Sequence, residues 1–153
     1  MLRPPVVDVK RLLQVDPARF GSLALLILRL ATGFVLAPHG WAKLADGAQK
    51  LAGGLAAKGV PAAHLFAWCA TLSELVGSLL VAAGLLTRPA AAVVSFTMVF
   101  AWISSHLGDL PNIGAPGGAA FEYPFLLSMV ALAIAIAGPG RYSVDAILVR
   151  MAA

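Results

Sequence analysis

Four long apolar runs govern what this chain can fold into, and two of them carry a charge near the middle. Arg29 sits in the run Phe20–Ala37 and Glu74 in the run Leu65–Leu86. A helix needs about 20 apolar residues to cross a hydrocarbon core roughly 30 Å thick. Of the 153 residues, 60% are hydrophobic and only 12% charged, against about 25% charged in soluble domains. Four spans in so short a chain leave little for a separate soluble domain. The sequence predicts an all-α fold, an integral membrane four-helix bundle.

The run ends are marked by turn chemistry. Span one, Phe20–Ala37, is expected to stop at Pro38 and Gly40. Span two, Leu65–Leu86, leads into a tight turn at Thr87-Arg88-Pro89, with Thr87 as a helix cap and Pro89 in the first turn of span three, Ala90–Ser105. Span four, Tyr123–Ala137, ends at Gly138-Pro139-Gly140, and Ser143 is placed to cap an amphipathic tail helix, Val144–Met151, on the membrane surface. Between spans one and two, Trp41, Leu44, Leu51 and Leu55 recur at roughly helical spacing among three lysines. This predicts an interfacial helix in the first outer loop, broken at Gly53-Gly54, that covers the bundle or forms a lid over an outward-facing site. The chain thus divides into an N-terminal segment 1–19, a transmembrane unit 20–138 and a tail 139–153. The polar, proline-containing start is unlike a signal peptide, and span one is expected to be retained.

Charge sets the expected orientation. Arg3, Lys10, Arg11, Arg19, Arg88, Arg141 and Arg150 fall on the side of the N-terminus, and Lys43, Lys50 and Lys58 on the other, a bias of seven to three. By the positive-inside rule both termini are cytoplasmic, in a bacterial-type inner membrane. The net charge of +4 does not point to nucleic acid, because the basic residues flank apolar runs and form no stripe. The single cysteine, Cys69, excludes an internal disulfide and any CxxC pair for thiol–disulfide exchange; it reads as a small apolar packing residue.

The two intramembrane charges are the first functional candidates. With 1.5 Å of rise per residue, Arg29 lies about 12 Å below the outer end of span one, and Glu74 about 13 Å below that of span two. Ala67, Ala70, Thr71, Gly77 and Ser78 make the face around Glu74 small, as suits close helix approach in a membrane, while Leu72, Leu75, Val76, Leu79 and Leu80 face away. Matching depth and face predict an Arg29–Glu74 salt bridge. That pair either fixes helix register alone or lets Glu74 exchange a proton or hold a ligand. Around the outer mouth the topology gathers His39, Lys43, His106 and Glu122, a polar ring above the pair. Such a ring has the donors for a divalent metal (His39, His106 and Glu122), for a quinone head group or for another amphipathic ligand. Bland readings stand beside these: boundary histidines are often merely solvated, and Glu122 at the start of span four suits the helix dipole. No HxxH, HExxH or CxxC spacing is present. Trp102 and Tyr123 read as interfacial belt residues.

The segments RLATGFVLAPHGWAKL (Arg29–Leu44), GVP (Gly59–Pro61), ELVGSLLVAAGLLTRPAA (Glu74–Ala91), FEYP (Phe121–Pro124) and GPGRYSVD (Gly138–Asp145) resemble the DoxX family of small four-helix membrane proteins. The likeness runs over roughly Leu28–Leu148. The family's intramembrane arginine, His-Gly followed by lysine, span-two glutamate, Leu-Leu-Thr-Arg turn and span-four glutamate fall on Arg29, His39-Gly40, Lys43, Glu74, Leu85–Arg88 and Glu122. The resemblance implies a bundle with cytoplasmic termini, and a subunit associated with a thiosulfate- or quinol-oxidising membrane complex. Two functions are therefore expected. One is a redox-associated, quinone-linked subunit, an oxidoreductase component working with a membrane redox complex. The other is a non-catalytic module in the lipid bilayer that binds a metal, lipid or small molecule, forms a homo-oligomer or scaffolds a larger complex.

Overall fold

The computed structural model describes residues 17–113 and 119–153, and all the regular structure among them is helical. Helix α1, Pro17–Ala42, passes through a wide π-helical turn at Lys43–Gly47 into α2, Ala48–Ala57. The chain reverses and returns as α3, Ala63–Leu72, a second π-helical turn at Ser73–Gly77, and α4, Ser78–Ala83. Helix α5 is Thr87–His106, followed by a 3-10 turn at Leu107–Asn112; α6 is Glu122–Ala137 and α7 is Val144–Ala152. Three stretches, Phe20–Ala57, Ala63–Ala83 and Thr87–His106, are long and apolar enough to cross a membrane, and Glu122–Ala137 is a shorter apolar helix. The expected N-terminal segment lies almost wholly outside the described residues.

The first long helix departs from expectation. Span one does not stop at Pro38 or Gly40, and the following segment does not break at Gly53-Gly54; the helical course runs from Pro17 to Ala57. Proline and glycine are weak terminators inside a membrane bundle, because neighbouring helices and wide turns resatisfy the freed backbone groups. Ala48, Ala52 and Leu55 of α2 are buried, and this helix packs along α3. The long first helix and the α3–α4 arm thus form one antiparallel hairpin.

Two glycines set its register. A methyl group at Gly33 would come within 2.5 Å of the Ala82 Cβ, and one at Gly40 would overlap the backbone of Leu75. Neither neighbour can move aside cheaply, so α1 meets the other arm with Gly33 opposite Ala82 and Gly40 opposite Leu75. The small face anticipated around Glu74 is the packed one: Ala67, Thr71, Gly77 and Ser78 are buried, while Leu72, Val76 and Leu79 are exposed on the chain's outer surface. Leu36, Val81, Ala91, Val94, Met98, Ala131 and Ile134 complete the core among α1, α4, α5 and α6.

At the end of the bundle where α4 turns into α5, the chain's last segment is latched in place. Arg29, fully buried, donates from Nη2 to the Tyr142 carbonyl. Gly84, at φ +72°, lies against the Arg29 guanidinium and Ser143, leaving no space for a side chain. Asp145 accepts from Leu86 N–H (2.8 Å), Thr87 N–H (2.9 Å) and Thr87 Oγ1 (2.7 Å), and its own N–H donates to the Gly84 carbonyl (2.8 Å). Helix α5 is therefore capped by a distant carboxylate rather than by Thr87 itself, an arrangement that its terminal N–H groups and dipole favour. Ser143 does cap α7, accepting from Ala146 N–H at 3.1 Å.

Two outcomes are expected. Gly40→Ala should lower stability by about 1–3 kcal/mol, whereas Gly53→Ala, with no atom within 4 Å of the new methyl, should be neutral or stabilising; thermal unfolding of the purified protein in detergent reads both. The second concerns acid. Burial raises the Asp145 carboxyl, but the hydrogen bonds from Thr87 and Leu86 and the Arg29 charge outweigh it, and its pKa sits below the ordinary carboxylate value. A group depressed on folding stabilises the fold at pH above its unfolded value of about 3.9, and that contribution is lost as pH falls through the folded value. Asp145→Asn should lower the melting temperature at pH 7 and flatten its decline between pH 5 and 3; an unchanged acid limb would count against the latch.

Candidate functional site

Glu74 is paired, but not with Arg29. The Lys43 ammonium lies 2.6 Å from both carboxylate oxygens of Glu74, in the hairpin interior. The Glu74 side chain is 6% exposed and that of Lys43 is 28% exposed. The expected Arg29–Glu74 bridge fails for one reason. It placed both charges by apolar run ends, and span one continues far past Ala37. With Gly40 opposite Leu75, Glu74 meets the helix at Lys43, and Arg29 lies fourteen residues, about 21 Å, further along it. Arg29 belongs to the latch at the other end; its Nε and Nη1 have no hydrogen-bond acceptor among the described residues.

Both partners of the ion pair stand in the two π-helical turns: Lys43 opens Lys43–Gly47 and Glu74 is the second residue of Ser73–Gly77. Such turns occur mostly as single insertions in α-helices, frequently at functional sites. Here the second is stitched by polar side chains. The Ser78 hydroxyl donates to the Glu74 carbonyl, and Thr97 Oγ1 is hydrogen-bonded to Ser73 Oγ at 2.9 Å. The wide turn directs the Glu74 carboxylate between α1 and α5.

The pair forms the common wall of two cavities. One, about 170 Å³, is lined by His39, Lys43, Glu74, His106 and Tyr123 with Leu36, Met98 and Pro124. The Tyr123 ring lies 5.9 Å from the His39 ring. The other, about 180 Å³, holds Leu51, Leu55, Phe66, Ala70 and Phe100 beside Lys43, Glu74 and His106. There Phe66 and Phe100 stack at 5.1 Å with nearly parallel planes. Lys58 donates to the Ser104 carbonyl (3.0 Å), tying the turn after α2 to the end of α5.

Of the expected polar ring, His39, Lys43 and His106 therefore share cavities with Glu74 and Glu122 does not; Arg29, expected below the ring, is absent from both cavities too. Glu122 lies in a different apolar recess with Trp102, Phe121 and Phe125, and accepts from Ala119 N–H (3.1 Å) at the start of α6. That is the dipole-suited position of the bland reading. The metal set His39, His106 and Glu122 is not assembled: among the described residues no three His, Cys, Asp or Glu side chains come close enough to hold an ion. Tyr123, expected as a belt residue, lines the site instead. Its signal was a position one residue after Glu122, which turns it about 100° around α6, away from the Glu122 recess. Phe66 and Phe100 carried no signal beyond apolarity.

Residues 24–107 match the profile of the DoxX family, a stretch that includes Arg29, His39, Lys43, Glu74 and His106. An uncharacterized protein of Haemophilus influenzae is 31% identical over 121 residues, covering 79% of this chain and 87% of that protein. No solved structure matches the chain. Helices long and apolar enough to span a bilayer, together with a profile match over more than half of the chain, place this protein in the DoxX family as a multi-pass membrane protein.

Proposed function

We propose that this DoxX protein is a quinone-linked redox subunit of a bacterial-type inner membrane, with both termini cytoplasmic, a transmembrane unit over residues 20–138 and a tail over 139–153. The observation that carries the reading is a part-buried Lys43–Glu74 ion pair facing two cavities that together hold His39, His106 and Tyr123. An ammonium clamped on a carboxylate still has one N–H to offer a ligand oxygen. A quinone taking two electrons must take two protons, and Glu74, His39 and His106 are groups that can pass them. Electrons would come from a partner protein in a membrane redox complex, since this chain has no cysteine pair. The seven-to-three distribution of basic residues supports the orientation and opens the site to the outer face.

Duroquinone, a fully substituted benzoquinone that does not add to amines or thiols, tests the reading. Titrated calorimetrically into the protein in nanodiscs, against empty nanodiscs, it should bind saturably, and Lys43→Met should weaken binding at least about tenfold, the equivalent of one hydrogen bond to a charged group. Heat no different from that of empty nanodiscs would overturn the assignment. The pair itself has a separate signature. Glu74→Leu alone should cost about 1–3 kcal/mol by leaving the part-exposed Lys43 charge unpaired, and Lys43→Met added to it should recover most of that cost. Unfolding in detergent measures both variants, and an additive double variant would mean the two residues are not coupled.

A further inference from the structure

The proposed site has two compartments of different character, and their shared wall restricts what can occupy them. Lys43, Glu74, Ala101 and His106 line both cavities. On one side of this wall are imidazole and phenol groups, His39 and Tyr123. On the other is an apolar chamber with an aromatic pair, Phe66 and Phe100, and the aliphatic side chains of Leu51 and Leu55. From this asymmetry, and resting on the reading of this region as a ligand site, we infer that the ligand is a neutral compound with a single six-membered aromatic or quinonoid ring. The ring occupies the Phe66–Phe100 chamber, and a hydroxyl or carbonyl oxygen lies at the Lys43–Glu74 pair.

Three physical arguments give that class. The first is size. A cavity of about 150 Å³ lined by aliphatic and aromatic side chains holds benzene. The chamber at about 180 Å³ is of that order, so one substituted ring fits it and a second fused ring crowds its lining or protrudes from it. The second is charge. Lys43 holds Glu74 through both oxygens at 2.6 Å, so the wall is neutral as a unit. A carboxylate ligand would confront Glu74, and an amine would confront the Lys43 ammonium, at a depth where an unbalanced charge is costly. The third is polarity. The remaining Lys43 N–H can donate to the ligand oxygen, and a carboxylate or imidazole can accept from a ligand hydroxyl. The stacked Phe66–Phe100 pair in the lining meanwhile favours a flat, π-bearing body over a branched aliphatic one.

A phenol series separates this inference from the reading on which it rests. p-Cresol and 2-naphthol are both neutral at pH 7 and differ by one fused ring; benzoate and benzylamine keep one ring and add a charge. Titrated into the full-length protein in nanodiscs, and corrected for partition into empty nanodiscs, p-cresol should bind at least about tenfold more tightly than 2-naphthol, within the range by which pocket shape discriminates. Benzoate and benzylamine should show no saturable binding. Phe100→Ala, which enlarges the chamber, should bring 2-naphthol to parity with p-cresol, and Ala70→Leu, which fills it, should abolish p-cresol binding. Retained melting temperatures identify the variants that remain folded; if Phe100→Ala unfolds, Leu55→Ala enlarges the same chamber from α2. Equal binding of the two phenols, unaltered by either cavity variant, overturns the one-ring assignment while leaving a ligand site at Lys43–Glu74. Saturable binding of benzoate or benzylamine overturns neutrality. Absence of p-cresol binding overturns the inference, and the duroquinone titration then decides separately whether the site reading falls with it.

Discussion

The close approach of α1 to the returning α3–α4 arm is the constraint on which the other features depend. Gly33 against Ala82 and Gly40 against Leu75 admit no Cβ without displacement of the facing arm. In a membrane there is little hydrophobic drive between helices, so close backbone packing carries much of the association. Once this register is set, the positions of the charges follow. Lys43, one turn beyond Gly40, lands on Glu74, one residue before Leu75. Arg29, one turn before Gly33, lands at Gly84, where the arm ends. One geometric fact thus separates two ionisable residues that composition alone would pair.

The two interior cations, Arg29 fully buried and Lys43 partly so, are held by unlike means. Lys43 has a carboxylate with two oxygens in reach. Arg29 has a backbone carbonyl, with Asp145 acting on it by charge at longer range. The latter arrangement depends on a chain segment far away in sequence: Tyr142 and Asp145 reach Arg29 and the α4–α5 turn only because Gly138 and Gly140 adopt positive φ and fold the segment back. Asp145 then serves two elements at once, capping α5 through Leu86 and Thr87 and fixing the first turn of α7 to Gly84. The sequence motifs at this end read as joinery between helices.

Much of the architecture was legible because apolar runs and turn residues report local preferences. The helices of the second half start and stop within a few residues of expectation, the Ser143 cap is in place, and the small face of α3–α4 is the packed one. The failures share a cause. Pro38, Gly40, Gly53 and Gly54 signal breaks in water, and the signal is overridden where packing of neighbouring residues holds the helix, Gly40 against Leu75 and Ala52 and Leu55 on either side of Gly53-Gly54. From the misplaced end of span one came the misplaced depth of Arg29. The π-helical turns were illegible for a related reason: each adds one residue to a helical turn, which leaves apolar periodicity almost unchanged while rotating everything after it. His39, Lys43 and His106 could be assigned to one mouth from topology, whereas the involvement of Tyr123, Phe66 and Phe100 depends on rotation about helix axes that no spacing reveals.

The register also bears on why the ion pair is there. An isolated buried pair could be explained as a device that pins two helices together, and desolvation would make it a weak one. Here Gly33 and Gly40 already fix the helices against each other through contacts that need no charge. The pair instead coincides with two interruptions of regular helical geometry, each of which gives up ideal hydrogen bonding in its turn. Two cavities open on its flanks, one aromatic and one polar. A stabilising role accounts for none of these three features together, because an apolar pair on regular helices would hold the same hairpin without desolvating a lysine and a glutamate. The proposed ligand, which must find a donor, an acceptor and an aromatic lining in one place, is consistent with all of them.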